Sequence, residues 1–353
     1  MLYPWLQESF HTFATACGQG RLPGSVILAG HSDLGTLDLA LECARFYLCE
    51  HKEQGVACGT CRSCKSFVAG AHADFIVVRP TLKDEADAGL DVLTNPLPLL
   101  QEAANIEDNG AQRRSVRIDS IRKLIEWLNL SHVGGQGKVA IVHEAHTMPV
   151  GAANSILKSF EEPPPHTLII LTAKSLESLL PTIISRAFKL KVTVPTLTQA
   201  QEFLQPYGFA DSKIAIALAL SQQAPLGALR LLQQGVIDKT QEILTLLPPA
   251  LNGGSDVAVV EKLAALGPAL EVTILGELTR ELLKYKAGLS VTQLPLLNPQ
   301  SAAALCRLPA EHLFTALSDL QHFALQAPFI PPRAPLALLR AWIRALANAP
   351  RTR

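Results

Sequence analysis

The chain has 353 residues, 48% hydrophobic and 18% charged, which is core material for two or three domains and too apolar for a largely disordered chain. Its 31 basic and 31 acidic residues cancel, so no global charge drives it toward nucleic acid and only a local basic patch could do so. The segment Met1 to Glu8 lacks the basic region and apolar run of a signal peptide, and no stretch reaches the ~18 apolar residues of a membrane span, so a soluble cytoplasmic protein is expected.

The short apolar run Ser25-Val26-Ile27-Leu28-Ala29 reads as a buried strand. It leads into Gly30-His31-Ser32-Asp33-Leu34-Gly35-Thr36-Leu37, which has the glycine spacing of a phosphate-binding loop. The lysine of that pattern is replaced by Thr36 and the magnesium-binding hydroxyl by Leu37. A nucleotidase uses that cation on the β- and γ-phosphates and that hydroxyl on the metal. The segment is therefore either a degenerate phosphate loop that does not hydrolyse, or a plain turn before a helix. Leu37, Leu41, Ala44 and Leu48 share one face of the helix expected to follow, up to Cys49.

Four of the seven cysteines are bunched, Cys49, Cys58, Cys61 and Cys64, with Gly55, Gly59 and Thr60 supplying tight turns between them. In a reducing compartment such a group reads as a metal site before a disulfide set. Four thiolates close a tetrahedron around a structural Zn2+, with no open position for water. An iron–sulfur cluster also takes four cysteines, and free thiols are the third option. Cys17, Cys43 and Cys306 are expected to be small buried apolar residues.

Asp74 to Val78 is a second strand candidate, and 81–112, acidic and broken by Pro96 and Pro98, reads as a long surface loop. Ile118, Ile121, Leu124, Ile125 and Leu128 form one face of an amphipathic helix, and Gly134 to Gly137 a flexible turn. The apolar strand from Lys138 ends at His143-Glu144, where a magnesium site would have Asp-Glu. Glu144 is then either the remnant of a Walker B motif or a polar residue at a strand end. A helix over Ala152 to Glu162 stops at Pro163-Pro164-Pro165, and Thr167 to Thr172 is a continuous apolar strand of the kind a parallel sheet buries on both faces. Strands alternating with helices argue for an α/β sheet.

Helices follow Pro195. Thr198 to Tyr207 and Ser212 to Gln222 are expected as a pair. From Asp238 the chain is rich in Leu and Ala, broken near Pro248-Pro249, Gly253-Gly254, Pro295 to Pro299 and Pro331-Pro332. Leu275, Leu278, Leu282 and Leu283 make one helical stripe, and Leu336, Leu338, Leu339, Trp342 and Leu346 another. An all-α C-terminal region with an apolar face left for partners is expected.

Several of these stretches together resemble the delta-prime family of bacterial DNA polymerase III clamp-loader subunits, within the AAA+ class. The pieces are the four-cysteine insertion followed by His72-Ala73-Asp74-Phe75, the run Ala152-Ala153-Asn154-Ser155-Ile156-Leu157-Lys158-Ser159-Phe160-Glu161-Glu162-Pro163-Pro164, and Leu179-Leu180-Pro181-Thr182-Ile183-Ile184-Ser185-Arg186-Ala187. The failed loop separates the chain from the ATPase subunits that share the cysteine spacing. The resemblance implies an AAA+ (P-loop NTPase-like) α/β domain over 1–192 with a zinc loop over 49–64. A small helical lid over 193–237 and an all-α collar over 238–353 would follow.

It also implies structural zinc, no functional ATP site at Gly30, Gly35, Thr36, Leu37 and Glu144, and a trans arginine finger at Arg186. Such a finger is worth ~10³–10⁵ in rate. The family motif is Ser-Arg-Cys, and Ala187 departs from it. The first-sensor position falls at Ala173 and the second at Gly227, with Arg230 one turn away. Implied partners are gamma/tau ATPase subunits and a delta subunit in a hetero-pentamer, with the sliding clamp and primed DNA reached through the complex. Lys158 and Lys189 read as solvated lysines, and Arg186 taken alone as a strand-edge arginine. The rivals are an active ATPase subunit of the same loader and a zinc-stabilised adaptor outside it.

Overall fold

Continuous Val-, Ile- and Leu-rich runs need cover on both faces, and they receive it. The computed structural model describes residues 2–53, 55–82, 85, 92–93, 114–134, 136–251 and 255–326. It divides into two units, one ending at Gln199 and one beginning at Ala200. The first unit holds strands β1 (Ser25–Ala29), β2 (Lys52–Glu53), β3 (Val56–Ala57), β4 (Phe75–Val78), β5 (Val92–Leu93), β6 (Lys138–Val142), β7 (Thr167–Ala173) and β8 (Phe188–Lys191). Its helices are α1 (Gln7–Gly18), α2 (Thr36–Leu48), α3 (Arg62–Val68), α4 (Ile118–Leu128), α5 (Val150–Glu161) and the one-turn α6 (Pro181–Ile184).

The main sheet runs β5-β4-β6-β7-β1-β8. All its pairings are parallel except that of β5, which runs antiparallel at the edge with Val77 opposite Leu93. Every residue of β1, β4, β6 and β7 is buried. Because side chains alternate along a strand, Ile27 and Ala29 join a core with Ile121, Leu124 and Leu128 of α4 and Ile156 and Phe160 of α5. Helix α2 packs against β6 and β7. Each fully buried Leu, Ile or Phe contributes about 1.5–3 kcal/mol, so these two layers hold the strand ends in place.

The expected elements appear with small boundary shifts, and the readings of Cys17, Cys306 and Pro248-Pro249 change. Helices α1 and α3 and the short strands β2, β3 and β5 had no sequence counterpart. Most of 81–112 and the Leu336–Leu346 stripe lie outside the described residues. Cys43 is fully buried, but Cys306 is exposed and Cys17 only half-buried.

The second unit is helical: α7 (Leu197–Leu204, begun in the first unit), α8 (Asp211–Leu220), α9 (Pro225–Gln233), α10 (Val236–Leu251), α11 (Val257–Ala264), α12 (Pro268–Lys286), α13 (Pro299–Leu305) and α14 (Ala310–Gln326). One apolar cluster runs from Ala200 to Leu320 and includes Leu275, Leu278 and Leu282, with Leu283 partly buried beside it. The expected break at Pro248-Pro249 is not there: α10 carries both prolines and ends at Leu251. The prolines lack the N–H groups that would bond the Leu244 and Thr245 carbonyls, and the helix ends within two residues of them. Among the described residues no single helix is long and apolar enough to cross a membrane.

Candidate functional site: a closed glycine loop, a cysteine cage and an exposed arginine

The glycine loop sits at the C-terminal end of β1, where open α/β sheets bind ligands. Both glycines are required by the backbone. A Cβ on Gly30 would lie 2.6 Å from Val192 Cβ, and Gly35 has φ +82° with the Tyr3 ring 3.0 Å from where its Cβ would be. Between them the chain makes one tight turn, Ser32–Leu34. A working phosphate loop points its amides at the ligand. Here four are spent inside the protein. Gly30 N–H donates to Ala173 carbonyl at 2.9 Å, Leu34 N–H to His31 carbonyl at 3.0 Å and Gly35 N–H to Ser32 carbonyl at 2.9 Å. Asp33 N–H donates to His31 Nδ1 at 3.3 Å.

Thr36, at the lysine position, is buried and donates its hydroxyl to His31 carbonyl at 2.8 Å. Leu37, at the magnesium hydroxyl position, is 6% exposed and packs inward. A cleft of about 130 Å³ remains between the ends of β1, β6 and β7, lined by Gly30, His31, Ser32, Thr36, His143, Glu144, His146, Thr172, Ala173 and Lys174. Ligand pockets typically run ~300–1,000 Å³.

His143 and Glu144 line that cleft as the strand reading placed them. Thr172, which the sequence reading passed over, organises both: its Oγ1 takes the Glu144 N–H at 2.9 Å and lies 2.9 Å from His143 Nδ1. A polar residue ending an otherwise apolar parallel strand was the available signal. Burial, then the neighbouring His146, push His143 down to about 4, so the imidazole is neutral at pH 7. Glu144 is held in the left-handed region at φ 50°, a conformation that costs a non-glycine residue about 1–2 kcal/mol. Burial, then the Asp33 carboxylate, push the Glu144 carboxyl up, and Arg114 opposes them. The Glu144 carboxylate thus lines the cleft. Ala173 is 2% exposed at the end of β7 and offers no polar group. Gly227 and Arg230 lie on α9 in the second unit.

The four cysteines come together. Their Sγ atoms all lie within 4.8 Å of one another, and Cys49 and Cys58 Sγ are 3.6 Å apart. Zn–S bonds of ~2.3 Å in a tetrahedron place sulfurs about 3.8 Å apart, so the cage fits zinc. N–H groups of Cys58, Cys61 and Cys64 donate to Cys49, Cys58 and Cys61 Sγ at 3.3, 3.4 and 3.3 Å. Such bonds orient metal-bound thiolates. The Cys61 N–H, then the Thr60 N–H and hydroxyl, push Cys58 down to about 6, while burial pushes Cys49 and Cys64 up.

The cage is tied to the sheet through His72. Its Nδ1 accepts from Asp74 N–H at 3.2 Å, which leaves Nε2–H to donate to Ser63 Oγ at 2.9 Å, and Ser63 donates on to Leu48 carbonyl at 2.7 Å. The Asp74 carboxylate in turn accepts from Val133 N–H at 2.7 Å and Gly134 N–H at 2.5 Å.

Arg186 follows α6 and is exposed. Its Nε lies 3.0 Å from Glu161 Oε1, and Nη1 donates to Thr182 carbonyl at 2.8 Å and Ser185 Oγ at 3.3 Å. Lys158 and Lys189 are exposed. Cage, closed loop and arginine all belong to one parallel α/β domain, of the class built around a strand–glycine loop–helix unit.

A family model described as "DNA polymerase III, delta subunit" matches residues 5–196, more than half of the chain, and the chain belongs to that family. It is 29% identical over 247 residues to DNA polymerase III subunit delta' of Pseudomonas aeruginosa, covering 69% of this chain and 65% of that protein. It is 26% identical over 307 residues to the subunit of the same name in Yersinia pestis, covering 84% and 82%. DNA polymerase III subunit tau of Bacillus subtilis is 25% identical over 275 residues, covering 77% of this chain and 41% of that protein. The chain thus spans just under two thirds of the Pseudomonas relative's length.

Proposed function

We propose that the chain is the non-hydrolysing stator of the DNA polymerase III clamp loader. In this reading it joins gamma/tau ATPase subunits and a delta subunit in a hetero-pentamer, and offers Arg186 in trans to ATP held by a neighbour. The assembly opens a sliding clamp and closes it on primed DNA. The AAA+ domain over 1–192 carries the nucleotide-loop remnant, the lid spans 193–237 and the collar spans 238–353. Cys49, Cys58, Cys61 and Cys64 hold a structural Zn2+, which supplies stability and no chemistry.

One observation carries the reading: four amides of the loop, those of Gly30, Asp33, Leu34 and Gly35, are spent on its own chain, while Arg186 stays at the surface. A guanidinium in trans needs only to reach the transferred phosphoryl charge. The cleft is small, is lined by the Glu144 carboxylate and has Thr36 where the phosphate-binding lysine belongs.

The likeness to the tau subunit favours a second reading, an active ATPase. Leu37 and Thr36 weigh against it, because neither can hold magnesium or a phosphate charge in place of the hydroxyl and the lysine. Mixing the chain with its ATPase partner tests the proposal. Co-elution with loss of partner hydrolysis on Arg186→Ala supports it. ATP turnover by the isolated chain, abolished by substitution at Gly35, would replace it with the ATPase reading.

A further inference from the structure

Glu161 is the last residue of α5, and its carboxylate meets Arg186 from a different element than the one that carries the arginine. The guanidinium has three nitrogens. Nε faces Glu161 Oε1 at 3.0 Å. Nη1 is held by Thr182 carbonyl and Ser185 Oγ on its own turn. Nη2 makes no hydrogen bond among the described residues.

The geometry points to Glu161 as the positioning residue of Arg186. It fixes the guanidinium from the Nε side and leaves the Nη2 edge free to meet a phosphate on a neighbouring chain. This rests on the trans-finger reading and deepens it. A free arginine must freeze a long, rotamer-rich side chain when it meets its target. One already hydrogen-bonded at Nη1 and ion-paired at Nε arrives oriented, and orientation before the encounter lowers the barrier. The pair need not break for Nη2 to engage. That distinguishes a positioning carboxylate from a latch, which would compete with the phosphate and have to be displaced.

The test uses the full chain assembled with its ATPase partner and compares Glu161→Gln, Arg186→Ala and the double variant. Glutamine keeps the size of the side chain and removes the charge. Partner hydrolysis is expected to show kcat down about two- to fivefold for Glu161→Gln, the scale of an exposed ion pair, with KM for ATP unchanged. The double variant should be no slower than Arg186→Ala. Co-elution and the melting temperature of the isolated chain should not move.

If Arg186→Ala slows the partner but Glu161→Gln leaves kcat unchanged or raises it, the positioning role is overturned and the finger stands. A double variant slower than Arg186→Ala would also overturn it, because Glu161 would then act through something else. If Arg186→Ala itself has no effect, the finger reading fails and the positioning role with it.

Discussion

Reinstalling the missing phosphate-loop residues should not reinstall the site. Consider Thr36→Lys with Leu37→Thr. The first change removes the buried hydrogen bond from Thr36 to the His31 carbonyl, which costs about 1 kcal/mol. The second replaces a Leu that is 6% exposed with a smaller polar side chain, which costs about 2 kcal/mol. At about 2–4 °C per kcal/mol for a unit of this size, the loss of about 3 kcal/mol lowers the melting temperature by about 6–12 °C. Adding 1 mM Mg-ATP should leave that lower value where it is, because Gly30, Asp33, Leu34 and Gly35 amides remain committed within the loop's own fold. The assay is thermal denaturation with and without nucleotide. Were the two residues all that the site lacked, ATP at a thousandfold excess over its Kd would add about 4.1 kcal/mol. The melting temperature would then rise past that of the parent, and the argument from spent amides would be refuted.

Purified protein should carry zinc, and Cys58→Ser should lose it and melt lower; elemental analysis reads the first and denaturation the second. Iron with visible absorbance would assign the cage to a cluster instead. In the second unit, burial pushes Glu281 up to about 7, with Glu277 adding to the shift and the N–H groups of Leu296 and Leu297 and the Lys284 charge opposing it. The folded pKa is the higher one, so the folded chain binds the extra proton and Glu281's contribution to stability falls as pH rises from about 4.5 to about 7. Glu281→Gln should therefore gain on the parent in melting temperature between pH 5 and pH 8, and a constant gap would contradict the assignment. At Gly137, φ is +121° and a Cβ would lie 2.0 Å from His166 carbonyl, so Gly137→Ala should cost about 3 kcal/mol or more, read by denaturant unfolding.

The sheet was legible because its strands are short unbroken apolar runs between Gly and Pro signals, and a parallel strand buried on both faces carries that pattern in sequence. Residues 138–142 and 167–173 left little choice. The cysteine cage was legible from spacing alone. Strand β5 was not, because two residues at an edge have no periodicity. The proline pair in α10 misled because a proline signals a helix end without saying on which side of it the last turn falls. At the candidate site, sequence showed which residues were wrong, Thr36, Leu37 and His143. It could not show that four of the loop's amides had found partners, since backbone hydrogen bonds leave no mark in side-chain identity. Thr172 and Glu161 acquire roles only through contacts with residues 28 and 25 positions away.

In the proposed role this chain acts on a neighbour's ATP and not on its own. Steady-state hydrolysis by the reconstituted loader with Arg186→Ala tests it most directly. The expected result is an intact assembly, no turnover by the isolated chain, and a large fall in hydrolysis at the interface Arg186 faces, up to the ~10³–10⁵ a trans arginine supplies. An assembled loader whose hydrolysis is unchanged by Arg186→Ala would contradict it.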